Sequence, residues 1–113
     1  MYKHIKTDEV KKKDLGDLVI QKLLNNHQLE GISFGKVEVK RTLKFTANPV
    51  SDIYAYVLEG NGIFDIGVES VKVETGDLLY ISKNTKYREK GHFTWLAIAT
   101  PRWNPDDTIF FND

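Results

Sequence analysis

The sequence predicts an all-β domain, a sandwich or barrel of many short strands. Three observations carry this. Apolar and polar residues alternate with period two in several stretches. Clusters of Gly, Asn, Asp and Pro interrupt them at intervals of about 8–12 residues. Helical spacing of apolar residues is nearly absent. At 113 residues the chain has room for one core and none for a separate cofactor-binding domain.

Each element follows from its residues. Residues 1–17 are polar and carry Lys11-Lys12-Lys13 among Asp8, Glu9, Asp14 and Asp17. They read as a solvated arm or short helical turn ahead of a barrel domain over residues 18–113. Leu18 to Leu24 reads two ways: Leu15, Leu18, Val19 and Leu23 sit at helical spacing, whereas the short run with β-branched Val19 and Ile20 suits a strand better, and Asn25-Asn26-His27 turns the chain. Phe34 to Phe45 alternates most clearly. Lys36, Glu38, Lys40, Thr42 and Lys44 face solvent, while Val37, Val39, Arg41, Leu43 and Phe45 face inward. Arg41 is the odd member of the inward set. A buried guanidinium needs an acidic partner, an anionic ligand or an escape to the rim.

Thr46 to Ser51 reads as a loop. Ile53 to Leu58 is a strand, Glu59-Gly60-Asn61-Gly62 a hairpin turn, and Ile63 to Ile66 the returning strand, broken at Gly67. Val71-Lys72-Val73 alternates, Thr75-Gly76-Asp77 turns, and Leu78 to Ile81 is a short buried strand. Tyr87 to Lys90 reads as a strand ending at Gly91, and Thr94 to Thr100 as a final core strand before Pro101. Trp103 to Asp107 turns, and Thr108 to Phe111 closes the chain.

Composition excludes several functions. Lys plus Arg equals Asp plus Glu at 16 each, so no cationic surplus exists for nucleic acid. No apolar run approaches the roughly 20 residues that span a bilayer, and the charged start has no secretory h-region. Cysteine is absent, which removes disulfides, thiolate metal sites and a cysteine nucleophile, and suits the cytoplasm. Only His4, His27 and His92 offer imidazole, and no HxH, HxxE or HxxxH pair occurs. A catalytic metal typically needs about three converging protein ligands. No metal site and no cofactor are expected.

Tyr54 to Gly62, YVLEGNG at its core, and Glu74 to Ser82, with GDLLYIS, resemble the two motifs of the cupins. The resemblance covers roughly residues 18–107. It implies a cupin-like jelly-roll β-barrel, often dimeric, with a ligand site inside. It also sharpens the metal argument. Ile53 stands at the position of the family's metal-binding Glu, and Thr46 to Pro49 cover its paired His positions. Tyr87 replaces the His of the second motif, Ser82 its Pro, Asn84 its Gly and Gly91 its Asn. Asp52 is one residue from the Glu position, and in a strand that offset faces the other side unless a bulge intervenes. A cupin-type dioxygenase or metal-dependent isomerase is therefore argued against, with Asp52 the one residue able to support a non-standard metal site.

The resemblance turns Tyr87 inward, and period two puts Glu89 on its face. With Arg41 from a neighbouring strand and Trp95, these make a pocket of cation, phenol and carboxylate among apolar walls. Arg41 would pair an anion, while Tyr87 and Glu89 orient the ligand. The expected function is metal-independent binding of a small polar or anionic metabolite, a sugar derivative or carboxylate. The alternatives are a metal-independent isomerase, epimerase or lyase with Tyr87, Glu89 or His92 as acid or base, and a non-catalytic accessory subunit. The expected partners are a small-molecule ligand and a second copy of the chain, with Tyr54, Tyr56 and the C-terminal aromatics as candidate contacts.

Overall fold

The computed structural model describes residues 1–112. Nine strands form one curled antiparallel sheet among the described residues. They are β1 Lys12–Asp14, β2 Leu18–Leu24, β3 Ser33–Val39, β4 Thr46–Ala47, β5 Asp52–Ile66, β6 Glu69–Glu74, β7 Leu78–Ile81, β8 Tyr87–Thr100 and β9 Ile109–Phe110. Three-residue 3-10 turns at Thr7–Glu9 and Pro105–Asp107 are the only helical elements described. None of the described helices is long and apolar enough to cross a membrane.

Two long strands organise the barrel. β5 and β8 pair from Asp52↔Thr100 to Ile66↔Tyr87, with a register shift between Val57 and Glu59. The first half of β5 carries β7 on its free edge, and the second half carries β6. β3 flanks the C-terminal half of β8, and β4 pairs with β8 at Tyr87. One layer is thus β7-β5-β8-β3-β2-β1, the other β6-β5-β8-β4-β9. Their inner faces meet around Phe64, Phe93, Trp95, Val39, Val57 and Ala55.

The passage between layers depends on glycine. Gly60 has φ +87°, a conformation that serves a β-bulge at no steric cost. A Cβ on Gly62 would overlap Cδ1 of Phe93, so only glycine lets β5 and the Phe93 ring approach so closely. The expected hairpin at Gly60-Asn61-Gly62 is therefore corrected. The chain continues as one bent strand, and the reversal comes at Gly67, with φ +59°. The expected strand end at Gly91 is corrected likewise, because β8 runs unbroken beneath the same corner.

Two further expectations change. β3 stops at Val39 rather than running to Phe45, because Lys40 N–H donates to Asp17 O and the chain then bends. The first 17 residues are not wholly a solvated arm. β1 pairs with β2, and the buried Gln21 donates Nε2–H to Thr7 O at 3.1 Å and Val10 O at 2.9 Å. Within the expected loop Thr46 to Ser51, Thr46–Ala47 bridges β8 and β9.

Candidate functional site in the barrel interior

Period two on β8 turns Tyr87 and Glu89 inward, and further along the strand Phe93 and Trp95. Phe64 lies opposite Glu89 on β5 and is wholly buried. Its ring sits 5.4 Å from that of Trp95 and 5.6 Å from that of Phe93, both edge-on, and 6.3 Å from that of Tyr87. The result is an aromatic box with one carboxyl in it. Glu89 is 6% exposed, and none of the described residues pairs it with a cation.

Burial dominates the electrostatics. It pushes the Glu89 carboxyl up to about 7, because a charge without solvent is costly. Its own backbone N–H and the nearby Trp95 indole hold it back in part. The indole falls short of hydrogen-bond geometry with it, so Trp95 Nε1 stays buried without a partner. Burial, and then the neighbouring Glu89, push the Tyr87 phenol upward, while a hydrogen bond with Thr46 acts the other way. Tyr87 therefore enters as a neutral hydroxyl and Glu89 as a group able to gain or lose a proton near neutrality.

The structure brings together Tyr87, Glu89 and Trp95. It does not bring Arg41 or His92 to them. Arg41 lies beyond the end of β3, its side chain 71% exposed, 3.3 Å from Asp17 Oδ1. The bend at Lys40 breaks the period that would have turned it inward. His92 stands opposite Asn61 on the outer face, 76% exposed and 4.0 Å from Glu38. The period that places Tyr87 and Glu89 inside already puts position 92 outside. Sequence reasoning missed Phe64, because the assumed hairpin at Gly60 hid the pairing of β5 with the first half of β8, and Thr46, because Thr46 to Ser51 read as a loop.

Two surface clefts border His92. One, of about 400 Å³, is lined by Lys12, Lys36, Glu38 and Glu59. The other, of about 950 Å³, includes Lys72, Glu74, Asp77 and Lys90. Neither touches Tyr87, Glu89 or Trp95. Both are open and lined by charges of mixed sign, as solvated sheet faces usually are.

The metal chemistry common among cupins does not fit these residues. Ile53 is a core side chain. Asn48 spends its Oδ1 on the backbone N–H groups of Val50 and Ser51. Asp52 Oδ1 accepts from Lys83 N–H at 2.9 Å, which ties down a loop. Among the described residues no group of three or more His, Cys, Asp or Glu could hold a metal ion.

No family model and no curated protein matches the chain. Solved structures do. A Streptomyces Pac13 variant with histidine replaced by glutamine, solved with uridine, shares 18% identity at TM-score 0.88, covering 99% of this chain and 92% of its own. Pac13 is described as a nucleoside dehydratase. A protein from Planctomyces limnophilus shares 15% identity at TM-score 0.89, covering 98% and 97%. The polyketide cyclase RemF from Streptomyces resistomycificus shares 17% at TM-score 0.78, covering 93% and 83%. Likeness at such identity establishes shape and leaves chemistry to the residues. By its strand order, its two motifs and these neighbours, the chain is a cupin-fold jelly-roll barrel.

Proposed function

We propose that the interior around Glu89 binds a small, neutral polar molecule of the sugar or nucleoside kind and exchanges a proton with it. The observation that carries this is a carboxyl buried in an aromatic box without a cation, at a proton affinity suited to neutral pH. An uncompensated buried carboxyl opposes folding, so its presence is a functional signal. An anionic ligand is disfavoured, since Arg41 lies outside and Glu89 would repel it. Glu89 would act as acid or base and Tyr87 as hydroxyl donor, an arrangement suited to isomerisation, epimerisation or elimination. The description of Pac13 as a nucleoside dehydratase supports testing nucleosides first.

The test is a thermal-shift panel of nucleosides, sugars and small carboxylates at pH 6 and pH 8. Wild type is compared with Glu89→Gln and Tyr87→Phe. A neutral ligand that raises Tm in wild type and not in Glu89→Gln is expected. A ligand effect equal in both proteins would refute the assignment.

A second copy of the chain is proposed to cover the outer face of the first layer. There Tyr56, Leu58, Leu78 and Tyr80 are exposed, and Tyr80 stacks on Tyr54 at 5.2 Å. Among the described residues β7 pairs with β5 alone, so its other edge is open to an identical strand. A net charge of zero sets no repulsion between copies.

A further inference from the structure

The two tryptophans differ in one respect. Trp103 donates Nε1–H to Thr108 Oγ1 at 3.0 Å. Trp95 is 3% exposed, and among the described residues its Nε1 has no hydrogen-bond partner. An indole N–H is donor only, and a buried donor without an acceptor is rare in folded proteins. The Trp95 indole acts on the carboxyl of Glu89, itself 6% exposed. A donor with unused capacity therefore stands near an acceptor, both beside Phe64, whose ring meets those of Trp95, Phe93 and Tyr87 and which pairs with Glu89 across the strands.

A ligand that satisfies both groups must present an acceptor to Trp95 and a donor to Glu89, side by side. A carboxylate ligand has no donor and would meet Glu89 as a like charge. A lone carbonyl or ether satisfies Trp95 only. A hydroxyl can serve both, but edge-on aromatic walls favour a flat group over a puckered polyol. An N–H adjacent to a C=O in a planar ring has the needed pattern and shape.

We infer that Glu89 and Trp95 together read the lactam edge of a neutral ligand, the C=O accepting from Trp95 Nε1–H and the N–H donating to Glu89. This rests on the preceding assignment of the barrel interior as a binding site, and adds to it the part of the ligand that is recognised. A protonated Glu89 keeps an acceptor oxygen, so the pairing survives on either side of its titration.

The test uses the full-length protein and two matched pairs of probes. Uridine is compared with 3-methyluridine, and δ-valerolactam with its N-methyl derivative. Calorimetry at pH 7 is expected to show binding of each N–H compound and at least tenfold weaker binding of each methylated one. In a nitrogen–proton correlation spectrum the Trp95 indole signal, identified by its persistence in Trp103→Phe, should move downfield with uridine while that of Trp103 stays. The spectrum needs no substitution at Trp95, so it is readable even where Trp95→Phe does not fold. Equal binding of methylated and unmethylated probes, with a stationary Trp95 signal, overturns the lactam assignment and leaves the Glu89 site standing. So does selective, Glu89-dependent binding of a polyol with no lactam bound. If nothing in the wider panel binds in a Glu89-dependent way, both readings fall.

Discussion

Glu89→Gln is the sharpest probe of the barrel interior, because it keeps shape and removes a titration. In the folded protein the carboxyl titrates at about 7, against 4.5 for a free side chain. That gap corresponds to about 3 kcal/mol of folding free energy. Its sign follows from proton counts. Below pH 4.5 the carboxyl is protonated in both states and contributes nothing. Between 4.5 and 7 the folded state keeps a proton that the unfolded state has released, so stability falls as pH rises. Above 7 the full cost is present and constant. The assay is urea unfolding of both proteins from pH 4 to pH 8.5. Other titrating groups cancel in the difference between the proteins. The amide of Gln has its own hydrogen-bonding needs, which shift the difference by a constant. The variant should therefore gain about 3 kcal/mol relative to wild type between pH 4.5 and pH 8. A difference that stays flat, or runs the other way, would mean that Glu89 is solvated or paired and is no poised acid.

Four further outcomes follow from other parts of the molecule. Gly62→Ala should cost about 1–3 kcal/mol by overpacking against Phe93, and adding Phe93→Leu should recover part of it. A neutral Gly62→Ala in chemical denaturation would refute the steric account of the corner. Asp65 accepts from Ser70 at 2.6 Å and Arg88 at 2.9 Å, contacts that hold its carboxyl below the usual range. Asp65→Asn should lose about 2 kcal/mol at neutral pH. That loss should vanish as acid protonates Asp65 in wild type, because a lowered pKa stabilises in full above the unfolded value and the contribution is lost as pH falls through the folded one. Arg41→Ala should change stability by less than about 0.5 kcal/mol and leave ligand binding intact, since an exposed pair contributes little; lost binding in calorimetry would return Arg41 to the site. Leu78→Glu should convert a dimer to a monomer by light scattering, and a monomeric wild type would refute the second-copy reading.

Much of the barrel was legible because its strands obey period two between recognisable turns. β2, β6 and β7 lie where alternation and glycine place them, but β7, expected to be buried, is an edge strand in which Leu78 and Tyr80 face out and only Ile81 is buried. The Gly60 corner was not legible, since positive φ serves a hairpin and a bulge equally and only pairing with β8 decides between them. Arg41 went astray for a similar reason. A period counted along the sequence persists past Val39, whereas the strand does not. The site divides the same way. The cupin resemblance turned Tyr87 inward, and side-chain direction along the strand, which is local, carried Glu89 to the same face. The proton affinity of Glu89 is not local. It depends on Phe64 arriving from β5 and on closure of the interior, which no window of sequence contains.

The bent pair β5 and β8 has a consequence for how the chain folds. Each strand lends one half to either layer, so neither layer can detach without tearing both. No layer is positioned to persist as a separate intermediate, and unfolding should occur in one step, with amide protons in Val57 and Phe64 exchanging through the same opening. The pairing that defines the barrel joins distant parts of the chain, Asp52 with Thr100 at one end and Ile66 with Tyr87 at the other. Such topology folds slowly for its size, in milliseconds to seconds. The bend that lets one hydrogen-bonded ribbon wrap an acidic interior also makes that ribbon the natural nucleus from which the rest of the barrel condenses.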